Sequence, residues 1–370
     1  MNRTPLKRTP LNRTTVIVES DASGLRAALV RDRRLEAIEI DSERRPSLVG
    51  AVAEGRVART LPGLGAIIRL ADGAELLLAR GREPPSESGQ TVLVQVSRDA
   101  DGDKLAAATA NVSLGGRALV HLPLGSGIRV SKRLDLEPGR RGELEAMLNA
   151  LPGGWILRAA ARMSTSDIAV EAVALAAEGA ALPSPRKPPD AFRRLMTDHG
   201  STPPRQILVS GRAARNAVEG WCEAFAPDLS PRIEYHDPGA ALFDSHDLDG
   251  VIAGLFEPRV ALPNGASLII EPTAALTAID VNAGPELNTL TVNLEAAAEI
   301  GRQLRLRHIG GLIVIDFISM SRPRDGDKVR EVLAAALADD AAQTHILPMS
   351  KFGLIEMTRD RRGPRLPPPV

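Results

Sequence analysis

The 370-residue chain contains a single cysteine, Cys222. One thiol excludes an intramolecular disulfide, a paired-cysteine zinc site within one chain and a secreted disulfide scaffold. A reducing cytoplasm is the compartment that fits. Aromatic residues are as scarce: six Phe, two Trp and one Tyr make up 2% of the chain, which leaves few rings for any stacking surface. Neither sign of charge is in excess, because Lys plus Arg and Asp plus Glu are 46 each. No global basic field therefore announces a polyanion, and only local patches could bind one. No apolar run approaches the roughly 18–20 residues that span a bilayer, so no membrane association is expected. Acids are missing from the start of the chain, where the first is Glu19. The opening stretch is basic, lacks an apolar core and is not a secretory signal. Its Arg-Thr-Pro-Leu unit occurs twice, at Arg3 to Leu6 and Arg8 to Leu11, with no hydrophobic period. Residues 1–14 read as a disordered basic tail.

What remains is ordinary globular material, 44% hydrophobic and 25% charged, too long for one small core. Residues 14–45 predict three strands. Short strands with glycine turns follow between Val49 and Val112 with no helix among them, the pattern of a small barrel. Strands mix with helices from Leu119 to Ala181, with helical apolar spacing over Glu143–Leu151 and Ile168–Glu178. Leu182-Pro-Ser-Pro-Arg-Lys-Pro-Pro189 is a proline-rich break. Helical segments then cover Asp190–Asp198 and Gly211–Phe225, with a strand near Arg232–His236 and a helix at Asp247–Phe256. The last third is the most regular. It runs as a hairpin of Ser267–Ile270 and Leu276–Val281, a helix from Leu290 to Arg307, a strand Leu312–Ile318, a helix Asp325–Asp339 and a strand Gly353–Met357.

Two carboxylates stand out in that last third. Asp280 sits in Leu276-Thr-Ala-Ile-Asp-Val-Asn282 and Asp316 in Leu312-Ile-Val-Ile-Asp-Phe317. An acid buried in such a strand costs several kcal/mol unless a cation or donor answers it. Two of them at strand ends suit a hard divalent cation; the competing expectation is that each caps a strand end or pairs with an arginine. Asn282 shares the face of Asp280 by period-two alternation. Basic residues cluster nearby in sequence: Arg302, Arg305 and Arg307 on the intervening helix, and Lys351, Arg359, Arg361 and Arg362 around the last strand. They suit either a solvated face with favourable helix-dipole placement or contacts to backbone phosphate. The histidines, among them His199, His236, His246 and His308, show no ligand spacing. Cys222, beside Trp221, reads as a buried, inert thiol.

Gly265 to Gly284, Asn293 to Arg307, Gly310 to Ile318 and Phe352 to Arg359 together resemble, in order and spacing, the catalytic part of the ribonuclease E/G family. The resemblance covers nearly the whole chain after the tail and is weakest over residues 15–110. It implies an α+β multidomain fold: a ribonuclease-H-like domain (15–48 and 200–258) interrupted by an OB-fold RNA-binding barrel (49–112) and a 5′-sensor-like domain (113–199), then a deoxyribonuclease-I-like catalytic domain (259–370). It also implies a cytoplasmic, Mg2+-dependent endoribonuclease acting on single-stranded RNA in ribosomal, transfer or messenger RNA processing or decay. Carried over by position, Asp280 and Asp316 match the family's metal-binding aspartates, holding one Mg2+ per active site, and Asn282 matches its active-site asparagine. Gly116 and Val120 match the sensor glycine and valine, Arg158 the sensor arginine, and Lys104 a lysine of the barrel. Arg302, Arg305 and Arg359 are the expected backbone-phosphate contacts.

Departures from the family pattern are informative. Ala159 stands where a threonine would donate to a 5′-phosphate. The barrel stretches Gly65–Ile68 and Glu75–Leu78 carry no aromatic, where the family stacks bases for about 1–3 kcal/mol each. Ala274 and Ser319 replace acids near the metal positions. The sequence ends at Pro369-Val370, with no Cys-Pro-x-Cys link, so no zinc is expected and a dimer or monomer is expected rather than a zinc-linked tetramer. These losses also leave room for an alternative, an RNA-binding paralogue with weak or lost nuclease activity.

Overall fold

The computed structural model describes residues 14–44, 46–79, 88–100, 104–131, 134–162, 165–237, 239–285, 288–320, 322–363 and 366. The expected basic tail, apart from Thr14, and most of the loop at 84–89 lie outside the described residues. The chain divides into two compact units: the described residues up to Leu242 less Arg34–Ile38, and Arg34–Ile38 together with the described residues from Phe243 onward.

The first unit opens with β1 (Thr14–Asp21) and β2 (Gly24–Arg31); β3 (Arg34–Ile40) comes next, with its residues Arg34–Ile38 belonging to the second unit. A barrel follows, made of β4 (Val52–Leu61), β5 (Gly65–Leu70), β6 (Glu75–Ala79), β7 (Thr91–Arg98) and β8 (Ala106–Thr109). It closes in the order β4-β5-β6-β8-β7, with β4 pairing back to β7. Its interior is aliphatic, filled by Val57, Ile68, Leu76, Leu78, Val94, Val96 and Ala108. Gly55 is required here, because a Cβ would meet Ile68 Cγ2 at 2.4 Å. Sequence pattern misses β8, because Ala-Ala-Ala-Thr has no strand propensity of its own. Its pairing with β6 and β7 is imposed by barrel closure.

Next come β9 (Leu114–Gly115), β10 (Leu119–Leu122), β11 (Ile128–Val130), α1 (Pro138–Asn149) and β12 (Gly154–Leu157), whose strands form a sheet in the order β11-β12-β10-β9. They are followed by α2 (Thr165–Ala180), α3 (Ala191–His199), β13 (Gln206–Ser210), α4 (Arg212–Phe225) and β14 (Ile233–Tyr235). The last of these return to the first sheet, ordered β14-β13-β1-β2-β3. β13 is buried at every position and runs parallel to both β1 and β14. Three apolar residues, Ile207, Leu208 and Val209, between Gln206 and Ser210 give no alternation, so sequence reading passes over them.

The second unit holds α6 (Leu248–Gly254), preceded by the short α5 (Leu242–Ser245), then β15 (Arg259–Ala261), β16 (Ser267–Pro272), β17 (Thr277–Asn282), α7 (Thr289–Leu306), β18 (Gly311–Asp316), α8 (Pro323–Ala336), β19 (Thr344–Ile346) and β20 (Leu354–Arg359). Six strands form one sheet in the order β15-β16-β17-β18-β20-β19. β17 and β18 are parallel, joined through α7, and the other pairs are antiparallel. Leu268, Ile270, Ile279, Val281, Ile313, Ile315, Ile355 and Met357 form one face of the sheet. They pack with Val292, Ala296, Ile300 and Leu304 of α7 and Val329 and Leu333 of α8. The helices therefore cover one face, and alternation sends the intervening residues to the other. α7 ends where the sequence places it: Arg307 is its C-cap, and His308 takes the left-handed conformation at φ 52°.

Candidate active site

Asp280 and Asp316 are register partners on the parallel strands β17 and β18. Adjacent strands lie roughly 4.8 Å apart, so the two carboxylates start from neighbouring positions. Both are exposed, as is Asn282. This corrects the expectation of buried acids: the apolar neighbours Ile279, Val281 and Ile315 face the helices, while the acids face away from them. The pair is set not by desolvation but by two like charges side by side on an open sheet face. Asn282 Nδ2 donates to Asp280 Oδ2 at 2.8 Å, fixing one carboxylate and leaving its other oxygen available. Among the described residues Asp316 makes no side-chain hydrogen bond or ion pair. Its position is held from behind. Buried Asn293 of α7 donates through Nδ2 to Ile318 O at 2.8 Å and accepts from Ile318 N at 3.2 Å, two residues beyond the acid. Sequence reading missed Asn293; its one signal is a polar residue on the apolar stripe of α7. Arg259 of β15, exposed, lies in the same cross-strand row through Ile269.

The expected phosphate contacts are not brought to these acids. α7 lies against the opposite face of the sheet, and its arginines have internal partners. Arg302 bonds Glu299 through Nη2 at 2.6 Å and Leu35 O through Nη1 at 2.7 Å. Arg305 donates to Ala336 O at 2.6 Å and Glu36 Oε2 at 3.1 Å. Arg302 also lines, with Arg34, Val260, Glu295 and Glu299, a cleft of about 600 Å³. Arg359 is 8% exposed and grips Asp340 with two bonds, Nε to Oδ2 at 2.8 Å and Nη2 to Oδ1 at 3.0 Å. Its Nη1 donates to Ile309 O at 2.6 Å. Sequence proximity misled because a helix following a strand packs on the face that the strand's acids avoid.

No cluster of three or more His, Cys, Asp or Glu suited to a metal occurs among the described residues. The set at the acids is two carboxylates and an amide, all oxygen acceptors or their orienting partner. That set fits a hard divalent cation which keeps most of its shell as water or phosphate oxygen, and does not fit a nitrogen- and sulfur-seeking one. Residues 113–362, which carry both aspartates and the sheet that pairs them, match the sequence model of the Ribonuclease E/G family.

The chain belongs to the ribonuclease E/G family. It is similar to ribonuclease G of Salmonella typhimurium (strain SL1344), at 30% identity over 388 residues covering 94% of this chain and 79% of that protein. It is also similar to ribonuclease E of Nostoc sp., at 31% identity over 85% of this chain and 51% of that protein. Ribonuclease E of Synechocystis sp. is 33% identical over 75% of this chain and 44% of its own length.

In this ribonuclease E/G member the residues expected to sense a 5′-phosphate do come together. Gly116 is buried, and Val120 lies half-buried on β10. Arg158 donates through Nη1 to Gly116 O at 3.0 Å and to Thr197 O. Sequence reading missed the acid beside them. Glu171 of α2, fully buried, accepts from the backbone N–H groups of Ala118 at 2.9 Å and Leu119 at 2.8 Å. A Cβ on Gly116 would meet its Oε1 at 2.2 Å. Burial pushes the Glu171 carboxyl up to about 7, against the pull of those two donors and of Arg117 and Arg158. An internal carboxylate thus takes backbone donors that an anion would use. Its signal in the sequence is an acid on the same helical stripe as Ile168, Ala172 and Leu175. Lys104 is exposed at the end of the barrel segment. Cys222 is buried, and burial raises its thiol to about 12, so it stays protonated.

Proposed function

We propose that this ribonuclease E/G family member is a cytoplasmic, Mg2+-dependent endoribonuclease that cleaves single-stranded RNA. The endoribonuclease class follows from family membership. The metal dependence and the site rest on one observation: Asp280 and Asp316 stand side by side at the open end of a parallel strand pair, with Asn282 orienting the first. In this reading Asp280 and Asp316 hold one Mg2+. The bound cation would supply a water of lowered pKa and offset charge on the phosphodiester. Asn282 holds the Asp280 carboxylate in one orientation, and Asn293 holds the chain that follows Asp316. Since Arg302, Arg305 and Arg359 have internal partners, the backbone-binding role passes to cations on the open face, Arg259 first among them.

The same reading assigns the closed barrel over 49–112 as an OB fold and residues 113–199 as a 5′-sensor-like domain. Residues 15–48 with 200–258 are then ribonuclease-H-like, and 259–370 deoxyribonuclease-I-like. Incubation with 5′-monophosphorylated single-stranded RNA in Mg2+, with EDTA and with Asp280→Asn as controls, tests the proposal. Cleavage by the wild type should fall by roughly 100-fold or more in both controls while RNA binding by Asp280→Asn persists. Equal cleavage by Asp280→Asn would sink the metal-site assignment, and binding without metal-dependent cleavage would favour the RNA-binding paralogue.

A further inference from the structure

Phe352 is 87% exposed, more than any other large hydrophobic among the described residues. A lone exposed apolar side chain is common on protein surfaces and by itself says nothing. Three circumstances separate this one. Aromatics are 2% of the chain, and Trp155, Phe192, Trp221, Phe225, Phe243 and Phe317 are all spent in the core. The ring is carried on a closed turn rather than a loose loop. Ser350 N donates to Leu354 O at 2.8 Å, Gly353 N donates to Ser350 O at 3.1 Å, and Ser350 Oγ accepts from the N–H groups of Phe352 and Leu354. Gly353 supplies the positive φ of 87° that the turn needs. The third circumstance is place. Leu354 is the register partner of Asp316, so the Cα of Phe352 is no more than roughly 12 Å from that of the acid, one cross-strand step and two residues away. Exposed Lys351 precedes it on the same turn.

We propose that Phe352 is a base-stacking platform of the active site, holding an unstacked nucleobase within a nucleotide or two of the phosphodiester at Asp280 and Asp316. This rests on the endoribonuclease reading of that site and adds to it. A ring stacks on any base because every base has a π-face, but only where the base is free of a duplex. The platform therefore selects single strands without reading sequence, and it supplies near the reacting phosphate the aromatic surface that Gly65–Ile68 and Glu75–Leu78 of the barrel lack. Lys351 adds a backbone-phosphate contact alongside.

The test measures binding apart from cleavage. Phe352→Trp places an exposed fluorophore against the buried Trp155 and Trp221. In EDTA, a single-stranded RNA 10-mer should quench it, a duplex of the same sequence should not, and an abasic nucleotide at one position should abolish the quenching. Phe352→Ala should weaken 10-mer binding about tenfold, and the same abasic RNA should bind wild type and variant equally. Unchanged affinity in Phe352→Ala, or quenching indifferent to every abasic position, would overturn the proposal. Mg2+-dependent cleavage by the wild type is scored separately. Cleavage with no effect of Phe352→Ala on binding would defeat the platform alone, and stacking without cleavage would defeat the nuclease reading alone. A wild type that binds no single-stranded RNA would defeat both.

Discussion

Asp280 and Glu171 show how differently one chemical group is used within this chain. Asp280 is exposed beside Asp316, held by Asn282, and in the proposed reading its chemistry would depend on the cation it recruits. Glu171 is enclosed, and its task is to satisfy Ala118 and Leu119. Because burial raises its folded-state pKa to about 7 from 4.5, the folded protein binds a proton that the unfolded chain has already lost between those two values. Stability from this group is therefore full below pH 4.5 and is lost as pH rises through 7. Urea titrations between pH 5 and 8 should show unfolding free energy falling with pH, and Glu171→Gln should flatten that slope. A slope identical in the variant would show that other groups carry it.

Strand ends and helix stripes decide where the acids sit. The alternation of β17 and β18 separates Ile279, Val281, Ile313 and Ile315 from Asp280, Asn282 and Asp316, and α7 with α8 claims the apolar side. Asn293 of α7 reaches the chain after β18 and bonds both backbone groups of Ile318. Asn293→Leu would leave the N–H and C=O of Ile318 without their partner, a loss of about 2 kcal/mol. A fall in the urea midpoint equal to that loss divided by the m value, with a fall in cleavage larger than the fall in RNA affinity, is the expected outcome. An unshifted midpoint would mean the loop after Asp316 is held by other contacts. The arginines of the same region are a contrast: Arg302, Arg305 and Arg359 look basic in the sequence but are neutralised or committed at the level of the element.

For the molecule as a whole, balanced charge limits how RNA is bound. With no net charge there is no global attractive field, and Arg302, Arg305 and Arg359 are already paired, so affinity should depend only weakly on salt. A plot of log affinity against log KCl should be no steeper than about −3, since each neutralised phosphate of a single strand contributes about −0.7. A slope of about −6 would reveal a basic surface assembled from residues not identified above. The two compact units also differ in legibility. In the second, the hairpin of β16 and β17, α7, β18, α8 and β20 each lie within a few residues of where periodicity puts them. In the first, β8 and β13 escape it.

The sequence alone determined the order of β16, β17, α7, β18, α8 and β20 in the last third (though not the short edge strands β15 and β19), the sharing of a face by Asp280 and Asn282, and the family. These are local properties, fixed by side-chain period and by motif spacing. Tertiary structure decided the rest. It made Asp280 and Asp316 neighbours, because parallel pairing of β17 with β18 is a long-range choice. It put those acids in the open and Arg302, Arg305 and Arg359 elsewhere, because burying the apolar stripe of α7 commits one sheet face and frees the other. It turned Ala106–Thr109 into a barrel strand and filled the donors at Ala118 and Leu119 with Glu171. Alternation says that a strand has two faces; only packing says which of them water keeps.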